Sequence, residues 1–339
     1  VKDRIVVRGA RAHNLKGIDV AFPLNTLTVV TGVSGSGKTT LVKGVLYPAL
    51  KRELEGCGER PGEHDALEGD IKRLQAVELV DQNPIGRSSR SNPVTYVKAW
   101  DEVRQLFSEQ ELSKVRGYKP SFFSFNVDGG RCDTCQGEGV VRIEMQFMAD
   151  ISLTCEACRG RRFNEEVLEV RFGGQDVAAV LDMTVDDAIA FFQAHAAAWP
   201  ACRRVVGKLM PLQETGLGYV KLGQSSSTLS GGEAQRIKLA SFLSKGQEER
   251  PTLFIFDEPT TGLHFHDVAK LLRAFDMLLA NGHSVLVIEH NSEVVKCADH
   301  VIDLGPEGGD AGGSVVYEGS PEGLATCAAS HTGRFLRFA

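Results

Sequence analysis

The 339-residue chain has no run near the roughly 20 continuous apolar residues that a membrane helix needs, which argues against a membrane-embedded protein. Its start, Val1-Lys2-Asp3-Arg4, lacks the charged-then-apolar layout of a secretion signal. It also lacks Met, which points to a trimmed or excised chain. Positive charge is not in excess: 38 Lys and Arg stand against 44 Asp and Glu, a net −6. A wholly basic nucleic-acid coat is thereby excluded, though a local basic face is not. There is no internal repeat and no low-complexity tract. These absences lead to the expectation of a soluble, cytoplasmic protein. With 42% hydrophobic residues, a length of two ordinary domains suggests two domains, or one carrying a large insertion.

Secondary-structure signals favour the insertion. Thr26–Thr31 is a β-branched run that ends in a glycine-rich turn, and Lys38 to about Leu50 has helical character. Residues 53–70 read as a loop and Glu78–Gln82 as a short strand. Beyond Asn83 the texture changes to interleaved Gly, Pro, Arg and aromatics. Val140–Phe147 alternates with a period near two, as a β-ribbon would. Thr184–Trp199 reads as a helix, with Thr184 and Asp187 forming a capping box. From Gly231 onward the spacing predicts helix 231–244, strand 252–257, helix 267–280 and strands 283–288 and 301–304, then a glycine-rich turn at 305–313. Alternating apolar strands and helices indicate an α/β fold with a mostly parallel sheet covered on both faces. The expected boundaries are 1–83 for the first part of a core, 84–223 for an inserted subdomain, and 224–339 for the second part of the core.

Between the first strand and its helix lies Gly32-Val33-Ser34-Gly35-Ser36-Gly37-Lys38-Thr39, which fits the P-loop pattern in its proper context. Glycines let backbone N–H groups wrap a phosphate, and the helix N-terminus adds a favourable dipole. Lys38 would reach the β and γ phosphates of ATP, Thr39 would hold Mg2+, and Thr40 completes the candidate nucleotide-binding stretch. Strand 252–257 ends in Asp257, placed to bind Mg2+, and is followed by Glu258, placed to polarise an attacking water. Leu229-Ser230-Gly231-Gly232-Glu233 matches the ABC-type signature, whose Ser230, Gly231 and Gly232 open a helix as a second phosphate-binding end. Gln82 falls at the Q-loop position, Thr260-Thr261-Gly262-Leu263-His264 at the D-loop, and His290 at the switch histidine that contacts the γ-phosphate. Lys38, Glu258 and His290 are the candidate catalytic residues of an ABC-type P-loop ATPase. A P-loop and its own signature lie on opposite faces of such a domain. One copy of each therefore calls for a second nucleotide-binding domain, either an identical chain or a missing first half.

The 148 positions from Gln82 to Ser230 exceed what a transporter-type ABC domain places there. Inside them, Cys132 and Cys135 are separated from Cys155 and Cys158 by 19 residues, the spacing of a four-cysteine zinc site. Redox-active disulfides are the alternative. Gly137, Gly139 and Gly160 follow the two pairs and suit tight turns around a metal. The scattered Cys57, Cys202, Cys297 and Cys327 are assigned no chemistry.

Several segments resemble the UvrA family, the damage-sensing ATPases of bacterial UvrABC nucleotide excision repair. They are Arg11-Ala-His-Asn-Leu-Lys16, the P-loop, Pro84-Ile-Gly-Arg-Ser-Ser-Arg-Ser-Asn-Pro93, Arg116-Gly-Tyr-Lys-Pro120, Phe123-Ser-Phe-Asn126, Gly130-Arg-Cys-Asp-Thr-Cys135, Asp257–His264 and Ile302–Asp310. The match covers nearly the whole chain and is similar to the C-terminal half of such proteins, with the zinc-bearing signature insert. The resemblance implies ATP, Mg2+ and Zn2+ as cofactors, and a DNA-binding dimer that finds lesions in double-stranded DNA. It further implies an SOS-response repair role in which damaged DNA passes to UvrB of the excision nuclease. The first half, which carries the UvrB-docking and damage-insertion modules, is not visible here.

Residues 84–122 carry seven cations against four carboxylates, a net +3. Arg87, Arg90, Arg116 and Lys119 are the candidate DNA contacts, with Tyr118, Phe122, Phe123 and Phe125 interleaved and Arg159, Arg161 and Arg162 at the second cysteine pair. Such a patch tracks phosphates with steep salt dependence. Two other readings are a UvrA-like paralogue that protects DNA from a drug, and a transporter motor domain. The four-cysteine insert argues against the transporter.

Overall fold

The computed structural model describes residues 3–245 and 250–336. Residues 1, 2, 246–249 and 337–339, which fall within the boundaries named above, lie outside it. The strands, numbered in chain order, are β1 Arg4–Ala10, β2 Ile18–Pro23, β3 Leu27–Gly32, β4 Ala66–Gly69, β5 Ala76–Val80, β6 Val140–Ile143, β7 Ile151–Thr154, β8 Thr252–Asp257, β9 Ser284–Ile288, β10 His300–Gly305 and β11 Ser314–Gly319.

The chain divides into two compact units, one of residues 1–82 with 245–339 and one of residues 83–244. In the first, a six-stranded sheet runs β11-β10-β3-β9-β8-β5, with only β11 antiparallel to its neighbour. Strands β3, β8 and β9 read as unbroken apolar runs because both faces are covered, and almost every residue in them is buried. Register brings Gly32 opposite Leu304, and Asp257 opposite Ile288, along one carboxyl edge. Ligands of open parallel sheets bind at that edge. A second, antiparallel sheet, β2-β1-β4, belongs to the same unit. The 53–70 loop reading is corrected here: Ala66–Gly69 is a strand, drawn into register by the edge of β1. Likewise the helix after the P-loop extends to Glu55, its stretch Thr40–Leu46 being wound as a π-helix.

The second unit has its own core and is largely helical. Helices Ala99–Ser108, Val185–His195 and Pro200–Glu214 pack Trp100, Val103, Phe107, Phe192 and Leu209 into it, all 0–3% exposed. Of the capping box at Thr184, the half in which Thr184 Oγ1 accepts from the Asp187 N–H is present, at 3.1 Å. The helix Gly231–Ser244 groups with this unit, with Ile237 and Ala240 in the same core. The β-ribbon is shorter than its alternation predicts: β6 stops at Ile143, pairs with β7, and leaves Phe147 95% exposed.

Candidate functional site

The first unit contains a cavity of about 670 Å³ lined by Asn14, Gly32–Gly35, Gly37–Thr40, Glu258, Ile288 and His290. The chain turns sharply after β3, with φ of +139°, +75° and +105° at Gly32, Gly35 and Gly37. A Cβ at Gly37 would lie 2.7 Å from Leu15 Cδ2, and one at Gly32 would lie 2.1 Å from the Leu304 carbonyl. Glycine is therefore required by space as well as by φ.

The loop is braced from behind. Asn14 Nδ2 donates to the carbonyls of Gly35 and Gly309, each at 2.9 Å. The Gly309 and Gly313 N–H groups donate to the Gly35 and Ser36 carbonyls at 3.0 Å. This gives the glycine-rich turn at 305–313 and the segment around Asn14 a shared task that spacing alone did not disclose. Lys38 Nζ donates to the Gly32 and Val33 carbonyls at 2.8 and 2.9 Å, inside the loop. Burial lowers the pKa of its ammonium, and the carboxylates of Glu258, Asp303 and Asp257 partly offset that. Ser36 Oγ is buried and has no hydrogen-bond partner among the described residues. A glycine-rich turn that carries a cationic side chain and lines one cavity fits an anion.

Asp257 Oδ2 pairs with Lys43 Nζ at 2.9 Å, a partner the sequence motifs did not flag. The hydroxyl of Thr39 and the carboxylate of Asp257 are hard oxygen donors, the type Mg2+ takes. Glu258 has a φ of +46°, a conformation that costs a non-glycine residue about 1–3 kcal/mol. Its N–H donates to the Ile288 carbonyl at 2.9 Å. Its carbonyl accepts from Gln82 Nε2 at 3.2 Å and from Thr261 Oγ1 at 2.9 Å. Its side chain, 51% exposed, stands 3.9 Å from His290 Nδ1. The structure thus brings together the P-loop, Gln82, Asp257, Glu258 and His290, leaving Glu258 and His290 open to solvent.

In the second unit, the Ser230 N–H donates to Glu233 Oε2 at 2.8 Å, and the Glu233 N–H donates to Ser230 Oγ at 3.2 Å. This reciprocal capping box starts the helix at Gly231, with Gly232 buried behind it. The four cysteines Cys132, Cys135, Cys155 and Cys158 are buried, with all four Sγ atoms within 4.8 Å of one another. The Cys132–Cys155 and Cys135–Cys158 separations are 4.0 and 3.6 Å. A tetrahedron with 2.3 Å Zn–S arms has edges of about 3.8 Å, so the donor set fits zinc. Both knuckles share one backbone plan, with left-handed residues at Gln136 and Gly137 and again at Arg159 and Gly160. Burial pushes the Cys135 thiol up to about 12 and raises Cys158, while the Cys158 N–H lowers Cys155.

The candidate DNA contacts fare unevenly. Arg87 and Lys119 are exposed. Arg116 pairs with Glu169 at 2.6 Å and lies over Tyr118, and Arg90 donates to the Gln136 carbonyl at 3.5 Å. Phe123 and Phe125 do not face solvent at all: both are fully buried, packing on Phe107 and Trp100. Tyr118 and Phe122 stack at 4.2 Å and remain half-buried.

A glycine cradle at the edge of a parallel sheet, an acidic pair closing the adjacent strand, and a capped Ser-Gly-Gly-Glu helix start on an inserted unit make up an ABC-type ATPase fold. No protein-family model matches the chain. Curated proteins narrow the class. The chain is 53% identical over 334 residues to UvrABC system protein A of Streptomyces coelicolor, covering 98% of this chain and 32% of that protein. It is 49% identical over 333 residues to that of Clostridium perfringens, covering 98% and 34%. The crystal structure of UvrA2 from Deinococcus radiodurans superposes with a TM-score of 0.87 at 44% identity, covering 99% of this chain and 39% of that one. The chain belongs to the UvrA family and spans about a third of the length of the curated relatives it matches.

Proposed function

We propose that this chain is the ATP-binding and ATP-hydrolysing part of a nucleotide excision repair protein that recognises damaged double-stranded DNA and, in the full protein, loads UvrB. The observation that carries the reading is the cavity, in which the braced P-loop, Glu258 and His290 face one space, in a chain about half identical to UvrABC system protein A.

The P-loop N–H groups and Lys38 would hold the β and γ phosphates, where a preformed cationic cradle needs little reorganisation. Thr39 and Asp257 would hold the Mg2+ that accompanies ATP, and this ion supplies charge neutralisation on the phosphates. Glu258 would orient and deprotonate the attacking water, and Gln82 fixes its backbone from the carbonyl side. His290 would contact the γ-phosphate. Both side chains open outward, which supports a second nucleotide-binding domain supplying its own Ser-Gly-Gly from across the site. Lys43, paired with Asp257 Oδ2 at 2.9 Å, would compete with the ion for that carboxylate.

Zinc would hold the two knuckles together as a structural ion, supplying folding energy to a segment whose ribbon is exposed. Arg87, Lys119 and the exposed Arg159 are the candidate phosphate contacts, whereas Arg161 pairs with Glu165 and Arg162 donates to the Gly223 carbonyl. The buried Phe123 and Phe125 belong to the core instead. Indifference to sequence would follow from reading duplex deformability, not base edges.

Binding of the chain to lesion-containing and undamaged duplex across a salt series, with metal measured on the same sample, tests this reading. The expected result is salt-steep binding with one zinc per chain. Salt-independent binding, or none with zinc intact, would remove DNA contact from this part of the protein.

A further inference from the structure

The carboxylate of Glu289 has no role in the motifs, yet it accepts four hydrogen bonds beside the candidate site. It is 1% exposed. One oxygen, Oε1, accepts from the Thr260 N–H at 3.0 Å and from Thr260 Oγ1. The other, Oε2, accepts from the His290 N–H at 2.8 Å and the Asn291 N–H at 2.9 Å. A single buried carboxylate thus ties the segment that follows Glu258 to the loop that carries His290. The backbone on either side is fixed as well. The Glu289 N–H donates to the Val30 carbonyl at 3.1 Å, and the Glu258 N–H donates to the Ile288 carbonyl. Asn291 in turn caps the helix Ser292–Lys296 by accepting from the Glu293 N–H at 2.9 Å.

We propose that Glu289 is a positioning residue for the hydrolytic step: it holds Thr260 and His290 in one rigid frame, so that Glu258 and His290 keep their mutual placement over the γ-phosphate. A buried carboxylate with four donors is stable only while both loops supply them, so neither loop moves without leaving a charge unpaired. Glu258 sits two residues before Thr260 in a left-handed conformation, and surrounding contacts must hold such a residue in place. Glu289 itself does not line the cavity, so substituting it leaves every residue of the P-loop in place.

The inference rests on the ATPase reading of the site, and the test separates the two. Glu289→Gln keeps size but replaces one acceptor oxygen with an NH2 that meets N–H donors. Thr260→Val removes one donor and leaves the carboxylate in place, so it guards against a variant that simply misfolds. Three quantities are measured on the full chain: bound ATP per chain at saturation, KM, and turnover per bound nucleotide. The expected result for Glu289→Gln is unchanged stoichiometry, KM within about threefold, and turnover per bound nucleotide lowered about thirtyfold or more. Thr260→Val lowers turnover by a smaller factor, and the double variant is no worse than Glu289→Gln alone, as expected for residues acting as a unit. Wild-type turnover in Glu289→Gln, a loss of turnover matched by a loss of bound nucleotide, or fully multiplicative effects would each overturn the proposal. A wild-type chain that binds no ATP would overturn the underlying reading and this inference with it, and that result appears in the control alone.

Discussion

Replacing Cys155 with Ser removes one corner of the sulfur cluster while changing almost nothing in volume. Cys155 is fully buried, and its Sγ lies 4.0 Å from that of Cys132. Its backbone N–H also donates to the Gly139 carbonyl at 3.0 Å, which joins the two knuckles. Structural zinc contributes an apparent 10–16 kcal/mol or so in zinc-finger peptides, shared among four thiolates. Losing one thiolate therefore costs several kcal/mol of metal affinity, and zinc should fall from one per chain to less than about a tenth. The damage should be local. The helical core of the same unit forms its own cluster, separate from the four cysteines, and keeps its apolar packing. Residues 132–163 should thus become accessible to limited proteolysis and hydrogen exchange, while the helices Ala99–Ser108 and Pro200–Glu214 stay protected. Zinc content measured on the purified variant, beside a cleavage map, gives both readings. A variant that retains one zinc per chain would refute the four-cysteine account.

Three further predictions concern particular residues. Gly37→Ala places a Cβ 2.7 Å from Leu15 Cδ2 at a φ of +105°, a strain of about 1–2 kcal/mol. ATP affinity should drop by about tenfold with little change in the second unit, as titration calorimetry would record. Asp303, 3% exposed, has its pKa raised by burial, against the opposing hydrogen bond from Ser330 Oγ and the nearby His331 and Lys38. A folded-state pKa above the unfolded one means stability present below the unfolded value, about 4, and lost as pH rises through the folded value. Asp303→Asn should therefore gain a few degrees of Tm over wild type at pH 7 and lose that gain in acid, whereas an equal difference at both pH values would contradict the burial argument. Salt dependence of DNA binding should weaken when Arg87 and Lys119 are changed to Ala together, by about one unit of log–log slope for each phosphate no longer neutralised. An unchanged slope would take both residues off the DNA.

Much of the first unit was legible because its chemistry needs residues that spell themselves out. Glycines at 32, 35 and 37 mark positive φ, and the apolar runs of β3, β8 and β9 mark strands buried on both faces. β4 was not legible, since Ala66–Gly69 has no strand-forming residue and exists because β1 offers it an edge. In the insert, Trp100, Val103, Leu106 and Phe107 have helical spacing, but the surrounding Gly, Pro and Arg obscured it. Phe123 and Phe125 read as an aromatic surface because composition says nothing about which way a ring points. The cysteine cluster was written in its spacing. Asn14, Lys43 and Glu289 were not: the role of each depends on a partner 21 or more positions away, which no local pattern marks.

The central claim, that this chain holds and hydrolyses ATP through Glu258, is tested most directly by comparing wild type with Glu258→Gln for bound ATP and for phosphate release. The account predicts equal ATP binding and a loss of turnover of at least about a hundredfold, because the variant keeps the P-loop and removes the group that orients and deprotonates water. Equal turnover in the two proteins would contradict it.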